Sequence, residues 1–439
     1  MTHRSTRLLS VGSLARVEGE GAMHVQVRDG EVESVRLSIY EPPRFFEALL
    51  RGRRYDEPVD ITARICGICP VAYQMTACQA IEDACGVTVD GQLAALRRLL
   101  YCGEWIESHS LHIYLLHAPD FLGLPDALAL ARTDRELVER GLRLKQAGNQ
   151  IMEVLGGRAV HPVNVRLGGF HRLPDRSELD RLAALLRTAR RDAEETVAWT
   201  AELDYPDLHV QHALLALRPP DSYPLDSGTP TLHSGYPSAV APLTAFLVAE
   251  FERHVVEAQA PHSTALQATV DGRHYLTGPL ARWRIAAELL PAELRQMAAL
   301  AGVGGTCDNP FRSIAVRAIE VLWAVREAQR LLEEYESPPR PAVPVPPRAG
   351  IGHAATEAPR GLLYHRYELG SDGTIVSADI VPPTSQNQAA IEADLRDFVQ
   401  QRLHLEDTEL TRQCEQAIRN YDPCISCATH FLDLTVEGR

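Results

Sequence analysis

Residues 22–40 alternate apolar and polar positions through His24-Val25-Gln26-Val27 and Val35-Arg36-Leu37-Ser38-Ile39. A period of two gives a strand one apolar face, and Asp29-Gly30 between the runs supplies the turn, so a β-hairpin is expected. The spacing then becomes helical. It predicts a helix over 76–85 and a long one over 93–117, dense in Leu, Ile and aromatics, as a buried bundle helix would be. His109, His112 and His117 lie on the latter and read as packed or hydrogen-bonded core histidines. A further helix is expected over 126–155, stopped by Gly156-Gly157, and another from 177 to about 203 with Ser177 and Asp180 as a capping-box-like start.

The loop 156–170 is rich in Gly and His, and 204–312 mixes short strands and loops. A strong helix follows over 313–336. Six prolines in 337–348 then exclude a helix or a central strand and imply an extended surface connector. Residues 362–367 and 375–381, joined through Ser371-Asp372-Gly373, read as a second hairpin, and helices follow over 387–403 and 407–420, with Asp407 able to cap the last. The fold class is therefore α+β, mainly α. We expect a long central helix bundle with small peripheral hairpins and sheets, in one large domain over 1–439.

Composition narrows the partners. The formal charge of −14 argues against a general nucleic-acid surface. No apolar run reaches membrane-spanning length, and the N-terminus lacks a signal-peptide core, so a cytoplasmic protein without membrane insertion is expected. Nine cysteines are too few for a disulfide scaffold in 439 residues. Cys78, Cys85 and Cys102 sit in apolar helical patterns and read as small buried residues.

The remaining signal is Arg64-Ile65-Cys66-Gly67-Ile68-Cys69-Pro70 and, near the other end, Asp422-Pro423-Cys424-Ile425-Ser426-Cys427-Ala428-Thr429-His430. Each Cys-x-x-Cys pair can aim two sulfurs at one point, and four thiolates make a soft-metal site. Spacing alone leaves structural zinc or a redox disulfide pair open. Either way, both chain ends must converge on the site.

Together the two flanked pairs closely resemble the large subunit of nickel-iron hydrogenases. The resemblance extends through Arg16-Val17-Glu18-Gly19, Phe46-Glu47, Gly156-Gly157-Arg158-Ala159-Val160-His161-Pro162 and Tyr275-Leu276-Thr277-Gly278-Pro279-Leu280-Ala281-Arg282. It continues in Glu357-Ala358-Pro359-Arg360-Gly361 and Pro382-Pro383-Thr384-Ser385-Gln386-Asn387, and so spans Arg16 to His430. It implies reversible heterolytic cleavage of dihydrogen at a nickel-iron centre carrying carbon monoxide and cyanide. Cys66 and Cys424 would be terminal nickel ligands, and Cys69 and Cys427 bridges to iron.

The same resemblance makes Cys424 the proton acceptor and Glu18 its outward relay. Arg360 would donate to cyanide with Thr384 or Ser385, Pro383 would line the pocket, and Asp422 would orient Arg360. Asp120 matches a second carboxylate near that arginine, although a turn or cap aspartate is an equal reading of the residue itself. Glu47 and His430 match ligands of a magnesium or similar ion. An iron-sulfur small subunit, flavin and NAD(P) reductase subunits, nickel chaperones and a maturation protease are implied as partners. The protease would remove 431–439.

The chain itself has no Gly-x-Gly-x-x-Gly fingerprint and no ferredoxin-type cysteine run, so iron-sulfur clusters, FAD and NAD(P) are expected only in partners. Tyr73 stands where many relatives carry His, within a Pro70-to-Met75 segment similar to the soluble NAD(P)-linked, sulfhydrogenase-type branch. A dihydrogen sensor and a structural four-cysteine zinc scaffold are the alternatives. The quinone-site subunit of respiratory complex I would share the fold but lacks the four cysteines.

Overall fold

The computed structural model describes residues 6–235 and 242–429. The first hairpin forms as Gly21–Arg28 against Glu31–Ile39, with Arg28 opposite Glu31. Asp29 and Gly30 take φ of 53° and 84°, the left-handed pair that a two-residue turn needs between right-twisted strands. Thr6–Val11 adds a third, antiparallel strand that the pattern did not predict. It is an edge strand with a single buried residue, Leu9, so no alternation marks it. The buried face of this sheet, with Met23, Val25 and Leu37, lies on the helix Pro383–Gln400. Gln388 donates to the Leu37 carbonyl there, and Glu392 accepts from the Leu37 amide.

Helices Gly91–Leu111, Arg135–Gly156, Arg176–Thr200 and Ser313–Glu333 form the bundle, and their apolar faces make a large part of the main core. Two glycines set the closest approach. A Cβ on Gly148 would lie 2.5 Å from the Gly103 carbonyl oxygen and 2.6 Å from the Glu107 amide. Gly148→Ala should therefore force these backbones apart and destabilise the protein by about 1–3 kcal/mol. A urea midpoint equal to wild type would show that the helices have slack.

The helix expected over 126–155 is two helices, Ala127–Thr133 and Arg135–Gly156. Asp134 breaks it, because its carboxylate accepts from the Leu137 amide and so favours a helix start over a helix interior. The helix expected over 93–117 is α-helical to Leu111 and becomes a π-helix over His112–His117. That wider turn brings residues five apart onto one face, with the rings of His112 and His117 at 5.0 Å. The capping box of the next helix lies two residues earlier than expected: Asp175 and Glu178 bond reciprocally, and Asp180 pairs with Arg176 instead. Asp407 does not cap its helix either. It lies in the first turn and pairs with Arg7.

A second three-stranded antiparallel sheet, Gly350–Ala358, Gly361–Leu369 and Ile375–Val381, contains the expected hairpin plus one strand. It packs on the helix Pro70–Cys85 so tightly that a Cβ on Gly352 would sit 1.9 Å from the Ala80 carbonyl oxygen. In 204–312 the strands are short, as expected, but helices Pro279–Ala286 and Ala292–Leu300 also form. The proline-rich 337–348 contains no helix or strand. It is tied to the 165–170 loop by Phe170 N to Pro341 O (2.8 Å) and Val343 N to Gly168 O (3.0 Å).

Candidate metal centre

The first cysteine pair leads into the N-terminus of the helix Pro70–Cys85, and of the second pair Cys424 caps the short helix Ile425–Ala428 while Cys427 lies within it. Arg44 staples the two loops together, since its guanidinium donates to the carbonyls of Ile65 (2.7 Å) and Ser426. The four sulfurs then lie within 4.8 Å of one another, and each cysteine is at most 3% exposed. Cys66 faces Cys424 at 3.4 Å, Cys69 faces Cys427 at 3.4 Å, and Cys424 approaches Cys427 at 2.7 Å. All four are free thiols and together form a buried all-sulfur donor set. Hydrogen bonds from Cys424, Cys427 and Cys69 favour the Cys66 thiolate, whereas burial pushes the Cys424 thiol up.

Glu18 comes from the opposite end of the chain. Its backbone bridges to Cys424, and the Ile425 amide donates to its carbonyl oxygen at 3.0 Å. Gly19, at φ 88°, permits this contact, because a Cβ there would sit 2.7 Å from the Ile425 side chain. Glu18 Oε2 accepts from Cys424 Sγ at 3.2 Å and from the Ser426 amide at 3.0 Å. Burial, then the Cys66 charge, raises the carboxyl's pKa; Ser426, Cys424 and Arg360 oppose that rise. A carboxyl thus lies against a thiol, and each group is able to hold one proton.

Arg360 is buried beside the thiolates. Its Nε donates to the Asp422 carbonyl (2.9 Å) and its Nη2 to Asp422 Oδ1 (3.2 Å). Its Nη1 is buried with no hydrogen-bond partner among the described residues. A desolvated donor without an acceptor costs about 1–3 kcal/mol, so its presence beside a donor set fits an acceptor group carried by a bound metal. Thr384 Oγ1 accepts from the Cys424 amide at 3.0 Å, a bond that does not use its hydroxyl hydrogen. Ser385 is committed elsewhere, to Glu257 Oε1 (2.8 Å) and the Pro382 carbonyl. Pro383 is buried in the first turn of the same helix.

Asp120 is held by Arg16 and Arg419, while Arg360 pairs with Asp422. The aspartate braces the two segments that carry Glu18 and Cys424. Glu47 accepts from the Ile380 amide at 2.8 Å, and burial lifts its pKa to about 8, with Glu257 and Asp379 adding to the rise. His430 and the tail 431–439 lie outside the described residues. The core reading of the bundle histidines matches the structure: His109 faces Glu320 at 3.0 Å, and His112 bonds the Arg419 carbonyl at 2.7 Å. Tyr73 is buried, and the thiol groups it faces are Cys427, Cys69 and Cys424.

Sequence reasoning passed over Arg44, Glu104 and Glu257. Only Glu104 left a signal: a charged residue inside the apolar run Leu99-Leu100-Tyr101-Cys102-Gly103-Glu104-Trp105-Ile106, where a solvated face has no room.

Residues 44–140 match the family model described as nickel-dependent hydrogenase. The chain is 34% identical over 434 residues to the alpha chain of sulfhydrogenase 1 of Pyrococcus furiosus, covering 97% of this chain and 98% of that protein. It is 28% identical over 455 residues to the corresponding chain of the F420-non-reducing hydrogenase of Methanothermobacter marburgensis, covering 97% and 95%. Its backbone is similar to the crystal structure of an NAD+-reducing [NiFe]-hydrogenase in the H2-reduced state, with a TM-score of 0.85, 28% identity, and coverage of 97% and 99%.

Proposed function

This chain belongs to the family of nickel-dependent hydrogenase large subunits, and from that premise we propose how its own residues divide the work of oxidising or producing dihydrogen. Cys66, Cys69, Cys424 and Cys427 would hold the nickel-iron centre, with Cys69 and Cys427 the pair that would also serve iron. The centre, when bound, supplies a soft, electron-rich metal pair with carbon monoxide and cyanide ligands, at which dihydrogen splits unevenly. Arg360 Nη1 and the Thr384 hydroxyl donate to the cyanides, Pro383 keeps that wall apolar, and Asp422 fixes the guanidinium. Arginine is too weak an acid to give up its proton readily, so Cys424 Sγ receives the proton and passes it to Glu18 Oε2. The observation that carries this assignment is the 3.2 Å contact between those two atoms.

Electrons leave through an iron-sulfur small subunit toward flavin and NAD(P) reductase subunits. Similarity to the sulfhydrogenase and to the NAD+-reducing hydrogenase supports that acceptor, and the F420-non-reducing relative is named only for an acceptor it does not reduce. A nicotinamide-linked acceptor places the protein in the cytoplasm. Among the described residues, no helix is long and apolar enough to cross a membrane. Nickel chaperones and a protease acting after His430 complete the set of partners.

The direct test is an infrared spectrum of the protein purified with its native partners. Stretching bands of metal-bound carbon monoxide and cyanide are expected. Zinc at one per chain, with no such bands in nickel-supplied material, would instead establish the zinc scaffold.

We further assign Glu47 and His430 to a magnesium or similar ion. Without a cation, the buried Glu47 carboxyl keeps a proton that the unfolded chain releases near pH 4.5. Its contribution to stability is therefore present below pH 4.5 and lost as pH rises through about 8. Melting curves should show magnesium stabilising the protein more at the alkaline end of that window than at the acid end. A pH-independent magnesium effect would remove Glu47 from the ion's ligands.

A further inference from the structure

The helix that carries Cys69 at its head lacks a cap of its own. Cys69 occupies the N-cap position of Pro70–Cys85, where a Ser, Thr, Asp or Asn would usually turn its side chain back onto the first amides. Its sulfur instead faces Cys427. Pro70 has no amide hydrogen, so the first donors left over are the amides of Val71 and Ala72. Glu104, from the middle of the bundle helix Gly91–Leu111, supplies what is missing. Val71 N donates to its Oε2 at 2.6 Å, and Ala72 N to its Oε1 and Oε2 at 3.1 and 3.3 Å.

The carboxylate is 0% exposed. Its neighbour Gly103 is locked against Gly148, which denies the bundle helix any freedom to withdraw. Burial raises the Glu104 pKa while the two amides lower it, and of the groups at the centre Cys66 adds to the rise and Arg360 opposes it. The family resemblance assigns this residue nothing.

We propose that Glu104 is a positioning residue of the metal centre: a cap borrowed from another helix, which fixes Cys69 and places an acidic group behind the Cys66–Cys69 pair. The proposal rests on the four-cysteine nickel reading above. It accounts for a buried carboxylate in an otherwise apolar run, and it explains how a cysteine can hold a cap position without the helix fraying. The cap is built from groups of this chain alone, so we expect the first pair to be shaped before the metal arrives.

The test uses the complex with its native partners. Glu104→Gln keeps the shape and one acceptor oxygen but turns an amide group against a backbone N–H, and Glu104→Ala removes the cap. We expect the carbon monoxide and cyanide bands of Glu104→Gln to move from their wild-type positions. We expect nickel affinity in Glu104→Ala to fall about 10–100-fold, the usual effect of losing an outer partner of a metal ligand. Full nickel in both variants with wild-type band positions overturns the proposal. In the unaltered, nickel-free chain, hydrogen exchange should find the Val71 and Ala72 amides protected. Free exchange of those amides overturns it even where neither variant folds. Absence of the bands from the wild-type complex would instead refute the nickel reading, which separates the two failures.

Discussion

Glu18→Gln is expected to retain nickel and to slow proton exchange between dihydrogen and water by about 10²–10⁴-fold, the span usual for losing a positioned acid or base. The geometry makes the variant a clean probe. A glutamine oxygen can still accept from the Ser426 amide, now 3.0 Å from Glu18 Oε2, so the contact that fixes residue 18 to the second cysteine loop survives. What is lost is the ability to take the proton from Cys424 Sγ, 3.2 Å away. Isotope exchange measured by mass spectrometry at constant nickel content reads this directly. A wild-type exchange rate would sink the relay and require another route from Cys424.

The second large effect is structural. Arg282→Met should destabilise the protein by about 3–5 kcal/mol, because it leaves two carboxylates buried without their cation. Arg282 is 0% exposed and binds Glu320 through Nε (2.7 Å) and Nη2 (2.8 Å), and Glu357 through Nη1 (3.0 Å). It also donates to the carbonyls of Ala358 and Pro359, both at 3.1 Å, and its guanidinium lies 4.5 Å from the Trp105 ring. Burial alone would raise the pKa of Glu320, yet Arg282 and His109 pull it down to about 2.

The same arginine holds the strand end from which Arg360 projects, so its loss should also lower nickel content. Equilibrium unfolding in urea checks the first effect. Adding Glu320→Gln to Arg282→Met should recover part of the loss, since one unpaired charge disappears. An unchanged midpoint in the single variant would mean that water reaches these carboxylates.

The elements that were legible in the sequence are those whose physics is local. Asp29-Gly30 between alternating runs specifies a hairpin whatever surrounds it, and the apolar density of 93–111 forces a buried helix. The misreadings have equally specific causes. Asp134 breaks a helix through one side-chain bond that periodicity does not register, and the π-turn at His112–His117 differs from α-helix by one residue per turn. Thr6–Val11 is exposed at a sheet edge, so burial writes no pattern into it.

Of the site, the chemistry of each ligand was readable and the assembly was not. Two Cys-x-x-Cys pairs offer four thiols whose spacing alone left zinc or a redox disulfide pair open, and the flanking and surrounding blocks identified the kind of enzyme. Which sulfur faces which, whether Thr384 or Ser385 turns its hydroxyl to the centre, and whether Asp120 serves Arg360 or Arg16 and Arg419 depended on contacts between segments hundreds of residues apart. Short-range patterns record what a residue does to its own backbone. The partners of a buried charge or thiol are chosen by the packing of distant elements, and around these cysteines Arg44, Glu104 and Gly19 lie at contacts that join such elements.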